Sequence, residues 1–130
     1  MTGQFKSFLF IATIYLLTGC NSSINLSDHI NKSVPINLTV NSIDSTGFTK
    51  STRTTIAINS EKYLKLIEWL DNNKNGWQLT PASYVADVYI EQGSFRLLYM
   101  KGEDVDGVVI GFDDKENKPG QYSKSIKKVD

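Results

Sequence analysis

The stretch Ser83–Met100, SYVADVYIEQGSFRLLYM, decides the fold. In its first half Tyr84, Ala86, Val88 and Ile90 alternate with Val85, Asp87, Tyr89 and Glu91, the period of two that sends successive side chains to opposite faces of a strand. Gln92-Gly93-Ser94 supplies a tight turn and Phe95–Met100 returns as a second apolar run, so the segment predicts an antiparallel hairpin. A loop rich in Gly and acid follows, and GVVIGF (Gly107–Phe112) reads as a third strand of the same meander. The second face of the first strand mixes Val and Tyr with Asp and Glu, so it is expected to be neither wholly wet nor wholly covered.

Upstream, EKYLKLIEWLDNN (Glu61–Asn73) changes period. At 100° per residue Tyr63, Leu66, Ile67 and Leu70 share one face, which predicts an amphipathic helix on a core. Ser60 can cap it, with Glu61 at the positive end of the dipole. Trp69 falls on the polar side, between Lys62 and Lys65. Before the helix, VPINLTV (Val34–Val40) and TRTTIAI (Thr52–Ile58) alternate as strands around the turn-like Asp44–Gly47, a hairpin with a longer loop. The basic tail KPGQYSKSIKKVD (Lys118–Asp130) suits either a final short strand or a helical turn carrying Tyr122, Ile126 and Val129. Together these runs predict an α+β domain over residues 34–130, in which one amphipathic helix packs on an antiparallel sheet of about five strands in the order ββαβββ.

The chain begins MTGQFKSFLFIATIYLLTGC, a cationic start, an apolar run from Phe8 to Leu17 and then Thr18-Gly19-Cys20. That run is shorter than the roughly twenty residues a lasting transmembrane helix needs, and reads as a secretion signal. Leu17-Thr18-Gly19-Cys20 resembles the lipobox of bacterial lipoproteins. The resemblance, confined to the signal, implies that the Cys20 sulfur is diacylglycerylated, that cleavage falls just before it and that the new amino terminus is acylated. Cys20 is the single cysteine, so no intramolecular disulfide can form, and lipidation gives it a dedicated use. Two or three acyl chains anchor stably where one is marginal. Residues 1–19 are therefore expected to be a lipoprotein signal peptide. Residues 20–33, NSSINLSDHINKS after the Cys, are expected to be a polar tether in which His29 is a solvated spacer. The implied address is the cell envelope, lipid-anchored. In a Gram-negative cell, Asn21 rather than Asp at the next position favours the outer membrane, facing the periplasm.

Chemistry is sparse. DNNKNGWQLTPA (Asp71–Ala82) resembles the first half of an EF-hand calcium loop, with Asp71, Asn73 and Asn75 at the ligand spacing and Gly76 at the tight turn. Ala82 stands where the bidentate Glu belongs and Pro81 resists an exit helix, so the stretch is read as a helix terminator stopped by Gly76 and no metal is expected. Acidic residues Glu103, Asp104 and Asp106 precede the last clear strand, and Asp113, Asp114 and Glu116 follow it. At ~3.3 Å per residue the clusters stand about 17 Å apart, too far for paired-carboxylate catalysis, which wants about 5–9.5 Å. With the one Cys acylated, the one His in the tether, and no phosphate cradle, no catalytic residue and no cofactor are expected.

Charge balances at 14 Lys+Arg against 14 Asp+Glu, which with an exported address argues against nucleic acid. Aromatic residues remain. Trp69 with Lys62, Lys65 and Tyr89 forms a candidate partner-binding patch, since aromatic side chains give large contact area at small entropic cost; the competing reading tucks Trp69 under the tail or tether. The sequence thus leads to a non-catalytic, lipid-anchored protein-binding module, an accessory subunit of an envelope assembly. An immunity or inhibitor lipoprotein against a secreted toxin is an alternative by fold-level analogy. An envelope hydrolase or ligand carrier is another.

Overall fold

The computed structural model describes residues 23–128. A 3₁₀ turn at Leu26–His29 is followed by β1 (Ile36–Ile43), β2 (Thr49–Ile56), α1 (Glu61–Asn72), β3 (Gln78–Leu79), β4 (Val88–Gln92), β5 (Phe95–Met100), β6 (Val105–Asp113) and β7 (Pro119–Lys127). The strands form one antiparallel sheet in the order β2-β1-β4-β5-β6-β7-β3.

The expected sheet of about five strands in the order ββαβββ is overturned: seven strands and a single helix make a mostly-sheet chain among the described residues. Each of the five segments read as strands contributes one, and β3 and β7 are additional. In the tail, Tyr122 and Ile126 lie four residues apart, a spacing that keeps two side chains on one face of a helix and of a strand alike. Pairing with β6 along its whole length, from Asp113↔Pro119 to Val105↔Lys127, makes the tail a strand.

Because β2 and β3 lie at opposite edges, the chain between them spans six strand spacings, about 29 Å at ~4.8 Å each. Helix α1, 12 residues and so about 18 Å long, makes most of that crossing over one face, with loops at both ends. Its N-cap is as expected: the Ser60 hydroxyl oxygen accepts from Tyr63 N at 3.3 Å. Tyr63 and Leu70 bury against Ile36, Ile56, Phe95, Leu97, Val108 and Ile110 of the sheet. The helix ends at Asn72 with Asn73 as C-cap, whose side chain donates to the Trp69 carbonyl at 2.8 Å. Gly76, with φ +85°, turns the chain later and is not what stops the helix.

The return crossing corrects the first strand of the opening hairpin. Residues 83–87 alternate like a strand but the strand is confined to Val88–Gln92. Residues 80–87 run instead from β3 back toward β1 and β4 across the far face of the sheet, where Ala86 buries against Leu98 and Val109, with Tyr84, Tyr89 and Met100 alongside. Side chains satisfy this irregular backbone: Tyr89 Oη accepts from Ala86 N (3.0 Å), Asn41 Nδ2 donates to Ala86 O (3.2 Å) and Gln121 Nε2 to Ala82 O (2.6 Å).

Residues 24–33 also depart from the tether reading. Leu26 and Ile30 are buried in the main core and Ile24 packs against it. Ser27 Oγ donates to Asp71 Oδ1 at 2.5 Å, and the Gln92 side chain accepts from Asn31 N (2.6 Å) while donating to Asn31 O and Val34 O. His29 is no spacer: its ring stacks on Phe112 at 3.7 Å, where burial lowers its pKa against the opposing Asp28 carboxylate. The signal segment and Cys20 lie outside the described residues. None of the described helices is long and apolar enough to cross a membrane.

Trp77 is wholly buried, edge-on to Trp69 at 6.5 Å, and its indole donates to Asn73 O at 2.6 Å. Trp77→Ala is expected to cost about 3–5 kcal/mol in urea unfolding. Ser60→Ala should cost about 1 kcal/mol; equal losses would refute the assignment of Trp77 to the core and Ser60 to a cap.

Candidate functional site

The residues singled out in the sequence do not converge. Lys62 and Lys65 are exposed on the outer side of α1, and Lys65 pairs with Glu61 at 3.0 Å. Trp69 is half-buried; it points to the sheet side, against Trp77. Tyr89 lies on the far face, its hydroxyl engaged with Ala86. A single patch of Trp69, Lys62, Lys65 and Tyr89 is therefore ruled out by the sheet standing between its members. The helical wheel misplaced Trp69 because α1 lies close to a wide sheet, which covers more of the helix than the stripe through Tyr63 and Leu70. Leu17, Thr18, Gly19 and Cys20 fall outside the described residues.

The loop resembling a calcium site uses its polar groups internally. Asp71 accepts from Ser27, Asn73 Oδ1 accepts from Lys124 Nζ at 3.3 Å, and Lys74 O accepts from Ile24 N at 2.8 Å. In the second acidic cluster Asp114 likewise holds a turn. Asp114 accepts from Glu116 N and Lys118 N, as Asp44 does from Thr46 N and Phe48 N in the β1–β2 turn. In both turns the fourth residue, Gly47 or Asn117, takes positive φ.

Asp106 is the exception that sequence reading missed. It is 2% exposed, accepts a hydrogen bond from the Tyr99 hydroxyl at Oδ2 and one from Gly102 N at Oδ1 (3.1 Å). Any side chain at Gly102 would overlap the Val105 carbonyl. The pair thus ties the β5–β6 loop to the sheet. Donation to Asp106, together with burial, pushes the Tyr99 phenol up to about 12, so at neutral pH it holds its proton and donates.

Tyr99 also borders a cavity of about 210 Å³ between α1 and the sheet, lined by Leu66, Trp69, Val88, Ile90, Leu97 and Val108 among others. Its lining is almost entirely apolar, and it is smaller than the roughly 300–1,000 Å³ of usual ligand pockets.

A further open feature is the β1–β2 arm. Strand β4 pairs with β1 only as far as Val40, while β1 and β2 pair on to Ile43↔Thr49. The arm therefore projects beyond the sheet, with Ile43 76% and Phe48 73% exposed at its tip. Every residue of β2 except Ile56 is exposed. Asn41 N donates to Asp87 O, toward β4. Strand alternation then turns the backbone groups of Val40 and Ser42 toward β2 and leaves those of Thr49, Ser51, Arg53 and Thr55 facing outward from the sheet edge. Such a row is a template for another strand. Nothing in TKSTRTTI marks it beforehand, because edge position depends on which strands pair elsewhere.

Tyr99→Phe should destabilise by about 1–3 kcal/mol by leaving Asp106 without its donor. The phenol's pKa lies above the unfolded value of 10.0, so its contribution is complete below about pH 10 and is lost as pH rises toward about 12. The difference between wild type and Tyr99→Phe in denaturant unfolding should shrink across that window; a difference constant through it would refute the pairing. Compared with known proteins, the chain matches no family model, no curated protein and no solved structure.

Proposed function

We propose that this chain is a small lipid-anchored envelope protein that binds another protein without catalysis, and that it does so through the β1–β2 arm. The supporting observation is the outer edge of β2, unpaired among the described residues, eight residues long and exposed along nearly all of it. Backbone groups on such an edge contribute affinity by strand addition, while neighbouring side chains select the partner. The exposed Ile43 and Phe48 at the arm tip add an apolar contact of the kind that anchors interfaces. The address rests on the lipobox-like Leu17-Thr18-Gly19-Cys20, which would tether the domain through Cys20 and leave the arm free to meet partners at the membrane surface.

The carrier reading has less behind it: the apolar cavity under α1 is small, and the larger depressions, about 530 Å³ beside Gln78, Tyr84 and Lys124 and about 510 Å³ beside Thr80, Arg96 and Gln121, are open surface grooves. The arm, by contrast, is built to stay in place: Asp44 ties its turn through Thr46 and Phe48.

Cys20→Ser should move the protein from the membrane to the soluble fraction. In cells of origin, a photo-crosslinking residue in place of Thr49 should give a discrete protein adduct, and one in place of Glu68 on α1 should not. Thr55→Pro removes an outward N–H without touching a β1–β2 hydrogen bond, and is expected to abolish the Thr49 adduct. An adduct that persists in folded Thr55→Pro protein would refute the edge as the binding element.

A further inference from the structure

The edge of β2 is charged in one sign only. TKSTRTTI carries Lys50 and Arg53 and no acid. Neither cation makes an ion pair or side-chain hydrogen bond among the described residues. By the register Thr39↔Arg53 and Ser42↔Lys50, they stand on opposite faces of the sheet. Glu91 shares the face of Arg53, but the ladder Thr55↔Asn37↔Glu91 sets it two strands inward, about 10 Å from the edge. Arg53 and Glu91 line one groove without an ion pair, so a strand laid along β2 meets, on either side, a cation unpaired among the described residues.

This charge disfavours one natural occupant, a second copy of the chain. Two β2 edges related by a two-fold axis must pair antiparallel about a single residue. Centred on Arg53, such a pairing puts Arg53 directly opposite its counterpart; centred on Thr52, it puts the two diagonally adjacent; centred on Ser51, it does the same to Lys50. Like charges at those positions are destabilising. The cations thus protect the edge from self-association, and the same charges attract the opposite sign.

We propose that the occupant is an extended segment of a partner protein bearing carboxylate side chains, which adds to the sheet as an eighth strand beside β2 and sets its acids against Arg53 on one face and Lys50 on the other. This rests on the protein-binding reading above and goes beyond it by specifying the chemistry of the partner. Backbone hydrogen bonds hold the segment, and the ion pairs choose it.

Selection from a random-peptide display library, with the full chain in detergent as bait, tests this. Peptides that compete at β2 should be enriched in Asp and Glu, and on binding should protect the amides of Ser51, Arg53 and Thr55 from hydrogen exchange. Arg53→Glu, a change on an exposed side chain, should weaken them by about tenfold and select Lys- or Arg-bearing peptides in their place. Raised salt should weaken the wild-type complexes. Peptides that protect β2 and depend on an unblocked Thr55 N–H, yet show no acid enrichment and no response to Arg53→Glu, would overturn the charge assignment while leaving edge binding intact. Failure to select any peptide that protects β2, or binding unaffected by Thr55→Pro, would overturn both.

Discussion

The strands before and after the helix occupy opposite edges of one sheet, and most of the architecture is a consequence. A chain leaving β2 must cross the whole sheet to reach β3, and then recross most of it to begin β4. The two crossings use the two faces. Helix α1 makes the first and supplies the main core, and residues 80–87 make the second and cover the smaller cluster around Leu98 and Val109. A helix satisfies its own backbone, so its passage needs only an apolar stripe and two caps. The extended return has no such provision, which is why Asn41, Tyr89 and Gln121 side chains meet its amide and carbonyl groups.

Polar side chains elsewhere in the molecule have comparable duties. Gln92 pins the N-terminal segment to β4, Asp71 holds the 3₁₀ turn through Ser27, and Asp106 holds the β5–β6 loop. These groups account for most of what resembles chemistry in the sequence, including the loop with calcium-like spacing. They are spent on geometry.

What the sheet does not cover is its β2 edge. The opposite edge is shielded in part by β3 and by Thr80 N, which donates to Gln121 O. Among the described residues nothing pairs with the outer edge of β2, which carries Lys50 and Arg53. An unpaired strand with two cations repels its own kind and remains able to accept a strand of opposite charge. A surface tether, as implied by the residues at Cys20, would hold such an edge at high local concentration near other anchored proteins.

Local periodicity made five strands and one helix legible. The alternation around Val88–Ile90, Leu97 and Ile110, the Ser60 cap and the Tyr63–Leu70 stripe are all properties of short segments, and each segment carries its own pattern. Periodicity names the apolar face of an element without naming what covers it. Hence Trp69, His29 and Asp106 were misread or passed over: their surroundings come from residues distant in the chain, namely Trp77, Phe112 and Tyr99. Residues 83–87 show the converse, a strand-like alternation that the crossing path prevents from pairing. The open edge was beyond reach of sequence for the same reason. Backbone N–H and C=O groups are alike in every strand, and only the full set of pairings leaves those of Thr49, Ser51, Arg53 and Thr55 without partners among the described residues. The sequence by itself therefore indicated the helix and five of the seven strands and, through the lipobox resemblance, an expected address, while the tertiary structure alone decided how the strands are ordered and which strand edge stays open.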